Sequence, residues 1–209
     1  MKRLSIILLV VMVILPSCAI NKDKEIAKEN RPSVFLPKPI DDDWGKWLVG
    51  EWEYSSESDA GKGKGWTKVE LGLNGQFLIY KDEAEITEMT AENIQYLKET
   101  LHASDEELER FQGSTFKELQ IHTIDPKTGE IIGYLFDSLR CIATGIGKRQ
   151  GNKEIMEWKW SGSGQGTSIR VTEKVGDDKI IITDNLTMPD GNVIEGKLEM
   201  TRKKITTGK

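Results

Sequence analysis

The sequence predicts an all-β protein: an antiparallel up-and-down β-barrel of about ten strands, broken once by a short two-helix insertion. Three observations carry this reading. Segments of alternating character follow one another from Trp44 to Lys203, and short turns rich in Gly, Asn, Asp and Pro separate nearly all of them. Read with a period of two, several segments show one apolar and one charged face. A sheet with one dry and one wet face closes most economically around its own core.

The chain opens differently. Lys2 and Arg3 precede an apolar run from Ile6 to Leu15, followed by Pro16-Ser17-Cys18. A basic start, a short apolar stretch and a small residue before the cut describe a secretory signal peptide over 1–17. The cysteine after Leu15-Pro16-Ser17 resembles a bacterial lipobox, which implies that Cys18 is lipidated and becomes the new N-terminus. At about 0.8 kcal/mol per buried methylene, the several acyl chains of a lipoprotein (palmitate among them) make attachment effectively permanent. The expected location is the bacterial cell envelope, lipid-anchored and extracytoplasmic. By resemblance to the Gram-negative sorting rule, Ala19 after the cysteine implies the outer membrane. Residues 18–43 then read as a lipidated N-terminus and flexible tether, charge-rich from Asn21 to Asn30 and broken by Pro32, Pro37 and Pro39. Val34-Phe35-Leu36 forms a small apolar patch within it.

Charge narrows the partners. Losing Lys2 and Arg3 with the leader takes the formal charge from −5 to −7. An acidic chain without a basic cluster argues against nucleic acid and against electrostatic adhesion to anionic lipid. With Cys18 committed to lipid, Cys141 stands alone and no internal disulfide is expected.

The barrel domain spans 44–204, and 205–209 read as a disordered tail. Trp44, Trp47 and Leu48 are spaced for one helical turn, and Trp52 and Tyr54 for one face of a first strand. Trp66 to Leu71 turns at Asn74-Gly75 into Gln76 to Lys81. Lys117 to Ile124 turns through Asp125–Gly129 into Glu130 to Asp137, and Cys141 to Lys148 turns at Gly151-Asn152 into Glu154 to Ser161. Thr167 to Val175 turns at Gly176-Asp177-Asp178 into Lys179 to Met188, and Pro189-Asp190-Gly191 leads into Asn192 to Lys203. Met156, Trp158 and Trp160, Ile169 and Val171, and Ile194, Leu198 and Met200 are the expected dry positions. The insertion occupies 82–116. Thr90 can cap a helix carrying Ile94, Leu97 and Leu101 on one face, and Ser104-Asp105-Glu106-Glu107 is a capping box opening a second. Such a pair suits a cover over an open barrel end, a lid, or a surface for a protein partner.

Two sets of residues carry a family resemblance. Gly50-Glu51-Trp52 resembles the Gly-x-Trp with which lipocalins and their calycin relatives begin the first strand. In calycins an arginine from the last strand lies across that tryptophan, which implies Arg202 over Trp52 as the barrel closure. The other position open to Arg202 is a fraying strand end with its head in water. The Trp47–Trp52 segment, Asp125–Gly129, Tyr134-Leu135-Phe136-Asp137-Ser138, Gly145-x-Gly147 and Leu198–Arg202 resemble a family of uncharacterised bacterial calycin-like proteins over about 44–203, the insertion excepted. Phe136 stands where that family would carry tryptophan. The resemblance implies a fold and transfers no catalytic residue.

No catalytic constellation or metal motif occurs. The two histidines, His102 and His122, lie in no paired-ligand spacing, so no metal and no cofactor is expected; haem would require His122 itself. Ser161–Gly166 lacks the Lys-Ser/Thr of a phosphate loop. Asp184 shares a face with Ile180, Ile182 and Leu186 and is the first candidate for a ligand contact, unless it lies at a mouth where water satisfies it. His122, Tyr134 and Trp158 complete the candidate ligand contacts. Asp137 either satisfies turn amides or acts in a cavity. The expected function is non-enzymatic binding of a small, largely apolar ligand. The alternatives are a filled structural barrel working through 82–116, or an enzyme using Asp184 or Asp137.

Overall fold

In the computed structural model, residues 37–100, 102–162 and 164–204 are described; the leader, Cys18, the Val34-Phe35-Leu36 patch, Leu101 and the 205–209 tail lie outside them. Helix α1 (Asp43–Leu48) is the helical turn that the Trp44/Trp47/Leu48 spacing predicts. The Asp42 carboxylate caps it by accepting the Gly45 amide at 2.8 Å, which satisfies a donor that the first turn leaves without a helical partner. Trp44 and Leu48 are buried beneath it.

Ten strands follow: β1 (Gly50–Ser58), β2 (Gly61–Gly72), β3 (Phe77–Met89), β4 (Thr115–Ile124), β5 (Ile131–Asp137), β6 (Cys141–Gln150), β7 (Lys153–Gly162), β8 (Gly166–Lys174), β9 (Lys179–Thr187) and β10 (Val193–Arg202). Each pairs antiparallel with its sequence neighbours, and β1 pairs with β10 to close the barrel. Trp52 stands opposite Arg202 in that closing pair. Between β3 and β4 lie α2 (Ala91–Thr100) and α3 (Asp105–Phe111). The Thr90 hydroxyl accepts from the Asn93 amide, and Ser104 and Glu107 form the reciprocal capping box. The helical segment is shorter than 82–116, because β3 stays paired with β2 through Met89 and β4 begins at Thr115. The turn between β2 and β3 touches α1's end of the barrel, where the Ile40 amide donates to the Gly75 carbonyl. The helical pair therefore sits at the opposite end.

Register decides which faces look inward. Met156 and Trp158 of β7 are buried, and directly across from them stand Arg170 and Ser168 of β8. Directly opposed residues share a sheet face, so the inner face of β8 is Ser168, Arg170 and Thr172. This corrects the dry face expected for that strand: Ile169 is 53% exposed on the outside. Outward-facing Leu119, Phe136, Ile142 and Ile146 show the same departure from simple wet–dry alternation. Two apolar clusters remain inside. One, at the base, joins Ile40, Trp44, Leu48, Trp52, Val69, Leu78, Ile180 and Met200; the other lines the wall with Ile131, Leu135, Ala143, Met156 and Trp158. The wall explains Gly145: a β-carbon there would meet the flat Trp158 ring at 2.7 Å.

Candidate functional site

At the base of the barrel Arg202 and Trp52 are tied to α1, while the buried Trp44 Nε1 has no hydrogen-bond partner. The Arg202 guanidinium lies over the Trp52 ring, 4.1 Å from its centre. Its Nη1 donates to the Val49 carbonyl at 3.0 Å and its Nη2 to the Trp47 carbonyl, so it also satisfies carbonyls at the end of α1. Trp52 Nε1 donates to the Leu48 carbonyl at 2.9 Å. Gly50 is required here for two reasons: its φ is +144°, and a β-carbon would meet Arg202 Nη1 at 2.5 Å.

Above this base the interior is not filled. A cavity of about 440 Å³ runs from Leu48, Trp52 and Met200 toward Phe111, Phe116 and Leu139 beneath the helical pair. Its lower wall is mostly apolar, with His122 and Glu154 set into it. Its middle carries a belt of ionisable side chains, each delivered by a different strand: Asp82 from β3, Glu118 from β4, Arg170 from β8 and Asp184 from β9. Arg170 donates to Asp184 through Nε at 2.9 Å and Nη2 at 2.8 Å. Asp82 and Glu118 are direct partners across β3 and β4. Burial, and then the neighbouring Glu118 charge, push the Asp82 carboxyl up to about 7. Burial likewise raises Glu118, partly offset by Arg170 and by a hydrogen bond from the Gln120 side chain.

A second buried group lies nearer the base. His122 Nδ1 is 3.6 Å from Glu154 Oε1, and Arg149 Nε donates to Glu154 Oε2 at 3.1 Å. Burial works to raise Glu154, yet His122 and Arg149 together hold it below its ordinary range. Arg149 Nη1 continues to Asp42 Oδ1 at 2.7 Å, linking this group to the cap of α1.

Several buried polar atoms along the cavity have no hydrogen-bond partner: Asp82 Oδ2 and the Thr67 hydroxyl opposite it on β2, Asp184 Oδ1, His122 Nε2, and Trp158 Nε1. His122 is 6% exposed and Trp158 2%. Buried polar groups are ordinarily paired, and orphaned ones gathered on one cavity are what a binding site leaves for its ligand.

Of the residues expected to touch ligand, Asp184, His122 and Trp158 line this cavity. Tyr134 does not. It faces outward and is 44% exposed, because it stands next in sequence to Leu135, whose side chain is buried in the wall. Asp137 lies at the cavity's upper end, and its Oδ1 accepts the Leu139 and Cys141 amides, the turn-satisfying arrangement. Asp82, Glu118, Glu154 and Arg170 were not expected. Asp82 seemed to begin the insertion and Arg170 to point outward. Their signal was present in alternation: Tyr80-x-Asp82-x-Ala84 and Glu118-x-Gln120-x-His122 place polar groups on the inward period. Among the described residues, no group of three or more His, Cys, Asp or Glu is arranged to hold a metal ion.

Fold and site together define the molecule as a closed ten-stranded antiparallel up-and-down barrel with an internal cavity. No protein-family profile matches the chain, and no curated protein matches it in sequence. Among solved structures, an S-type phycobiliprotein lyase from Guillardia theta matches with a TM-score of 0.47 and 11% identity, over 77% of this chain and 91% of that one. At that similarity neither residue roles nor a ligand transfer.

Proposed function

We propose that this protein is a binding barrel of the bacterial envelope, anchored through lipid on Cys18 and holding a small ligand in its cavity. In this reading it belongs with the uncharacterised bacterial calycin-like proteins that it resembles in sequence. One observation carries the binding function: the closed barrel encloses about 440 Å³ lined by apolar walls and orphaned buried polar atoms. An open interior weighs against a filled structural barrel. The polar belt also revises the expected ligand, which is apolar over most of its body but carries polar atoms at the height of Asp82 and Asp184. The helical pair reads as a cover, since Phe111 of α3 lines the upper cavity against Phe116, with ring centres 5.3 Å apart. Solvent extraction and mass spectrometry of protein purified from its own host test the reading directly. A stoichiometric small molecule is expected, and repeated recovery of none would count against binding. Replacing Cys18 with Ser should release the protein from membranes; retention of the variant, with no acyl label on the unaltered protein, would end the anchoring part.

A further inference from the structure

The charges on the cavity do not balance. Among the described residues, its lining includes Asp82, Glu118 and Asp184 around one lining cation, Arg170, and no lysine. The Arg170 hydrogen bonds to carboxylate go to Asp184. Asp82 and Glu118 are left side by side across two strands with the Asp82 Oδ2 atom unpartnered. Two adjacent buried carboxylates repel, and each ionised form lacks the water that would stabilise it. A protein that only needed a stable barrel would be better served there by apolar side chains. The same cavity holds independent signs of an occupant in His122 Nε2 and Trp158 Nε1, both without a partner on side chains more than nine-tenths buried. The Trp158 ring centre lies 5.7 Å from the Arg170 guanidinium and 5.7 Å from the His122 ring, so the Trp158 ring borders the charged belt.

We infer that the ligand is an amphiphilic amine: a protonated nitrogen donates to Asp82 and Glu118, while its hydrocarbon lies toward the apolar base formed by Trp52, Val69, Ile180 and Met200. This inference rests on the binding-barrel reading above and specifies its head group. An ammonium supplies both missing elements, a positive charge between the two carboxylates and N–H donors for the orphaned oxygen. A fatty acid would add a further negative charge to the belt, and a fatty alcohol would leave the charge uncompensated. As the amine enters, a carboxyl that is protonated in the empty cavity gives up its proton, so binding is coupled to proton release.

The test uses three probes of equal chain length, decylamine, 1-decanol and decanoate. Each is titrated into the purified protein, following tryptophan fluorescence and, by calorimetry, the dependence of binding heat on buffer ionisation. Decylamine should bind about tenfold or more tighter than 1-decanol, as a charge-assisted hydrogen bond would produce. Decanoate should bind weakest, and the amine alone should release protons near neutral pH. In the Asp82→Asn, Glu118→Gln double variant the amine preference should fall to near parity. An unaltered circular dichroism spectrum and cooperative unfolding show that the variant's barrel is intact; should the pair misfold, the Asp82→Asn single variant carries the same comparison. Equal binding of amine and alcohol, tighter decanoate, or an amine preference that survives the variants would overturn the head-group inference and leave the binding barrel standing. Binding of none of the three would overturn both.

Discussion

The two ends of the barrel's interior are built on opposite rules. At the base, the donors of the Trp52 and Arg202 side chains have partners, and the surrounding side chains are apolar. In the belt, a few residues higher on the same strands, carboxylates crowd one arginine and several polar atoms have no partner. Both regions are buried. One is the solution a chain reaches when only stability matters, and the other is stable only because the rest of the barrel supports it. The contrast separates what holds the fold from what the fold is for.

Replacing Trp52 with Ala tests the base most severely. It removes a fully buried ring, its hydrogen bond to Leu48 and the platform for Arg202, and chemical denaturation should show a loss of about 3–5 kcal/mol. The matching change in the belt should have the opposite sign. Asp82 is faced by Thr67 from β2, Glu118 from β4 and Arg170 from β8, and its folded value of about 7 lies above the unfolded 3.8. The folded state therefore keeps a proton that the unfolded chain releases. The contribution of this group is fully present below about 3.8 and is lost as pH rises to about 7. Asp82→Asn should raise stability at pH 8 on the order of 1–3 kcal/mol and flatten the pH dependence across that window. A destabilised Asn variant, or an unchanged profile, would erase the contrast between the two regions.

Arg202→Ala should cost about 1–2 kcal/mol, less than the loss of Trp52, and the double variant should lose less than the sum of the two. Simple additivity would mean that the observed stacking contributes nothing of its own. The smallest effect belongs to the cover. Ser104→Ala removes one side of the capping box and should weaken α3 by about 1 kcal/mol. That loss should appear as faster hydrogen exchange over 105–111 with the strands' exchange unchanged. Because α2 buries no residue fully, the helical pair should exchange before the barrel even in the unaltered protein.

The same contrast governs what could be read in advance. The base was legible because its parts are local or strongly marked: a three-four spacing at Trp44, Trp47 and Leu48, a Gly-x-Trp, and an arginine on the apolar face of the last strand. The barrel itself followed from turn chemistry between short segments. The belt was mostly illegible because periodicity assumes that inward means apolar. On β8 the apolar Ile169 faces water while Arg170 faces the cavity, and only pairing with Met156 reveals it. The inward place of Asp184 was legible because its neighbours at a period of two are apolar on an otherwise regular strand. Asp82 was missed because β3 runs on to Met89, well past Lys81, where the expected strand ends and the insertion begins. Tyr134 stands outward because the inner positions of that wall belong to Leu135 and Gly133, which alternation on a mostly apolar strand does not reveal.

The closing pair between β1 and β10 has a consequence for how the protein comes into being. Trp52 and Arg202 are neighbours in space but lie at opposite ends of the domain's sequence. Contacts of such separation carry the largest loop-closure entropy and form slowly. On a ribosome or in a translocation channel, no earlier segment can substitute for β10. Until Arg202 has emerged, the growing sheet has two unpaired edges and an unplugged base, the state most exposed to proteases and to pairing with other chains.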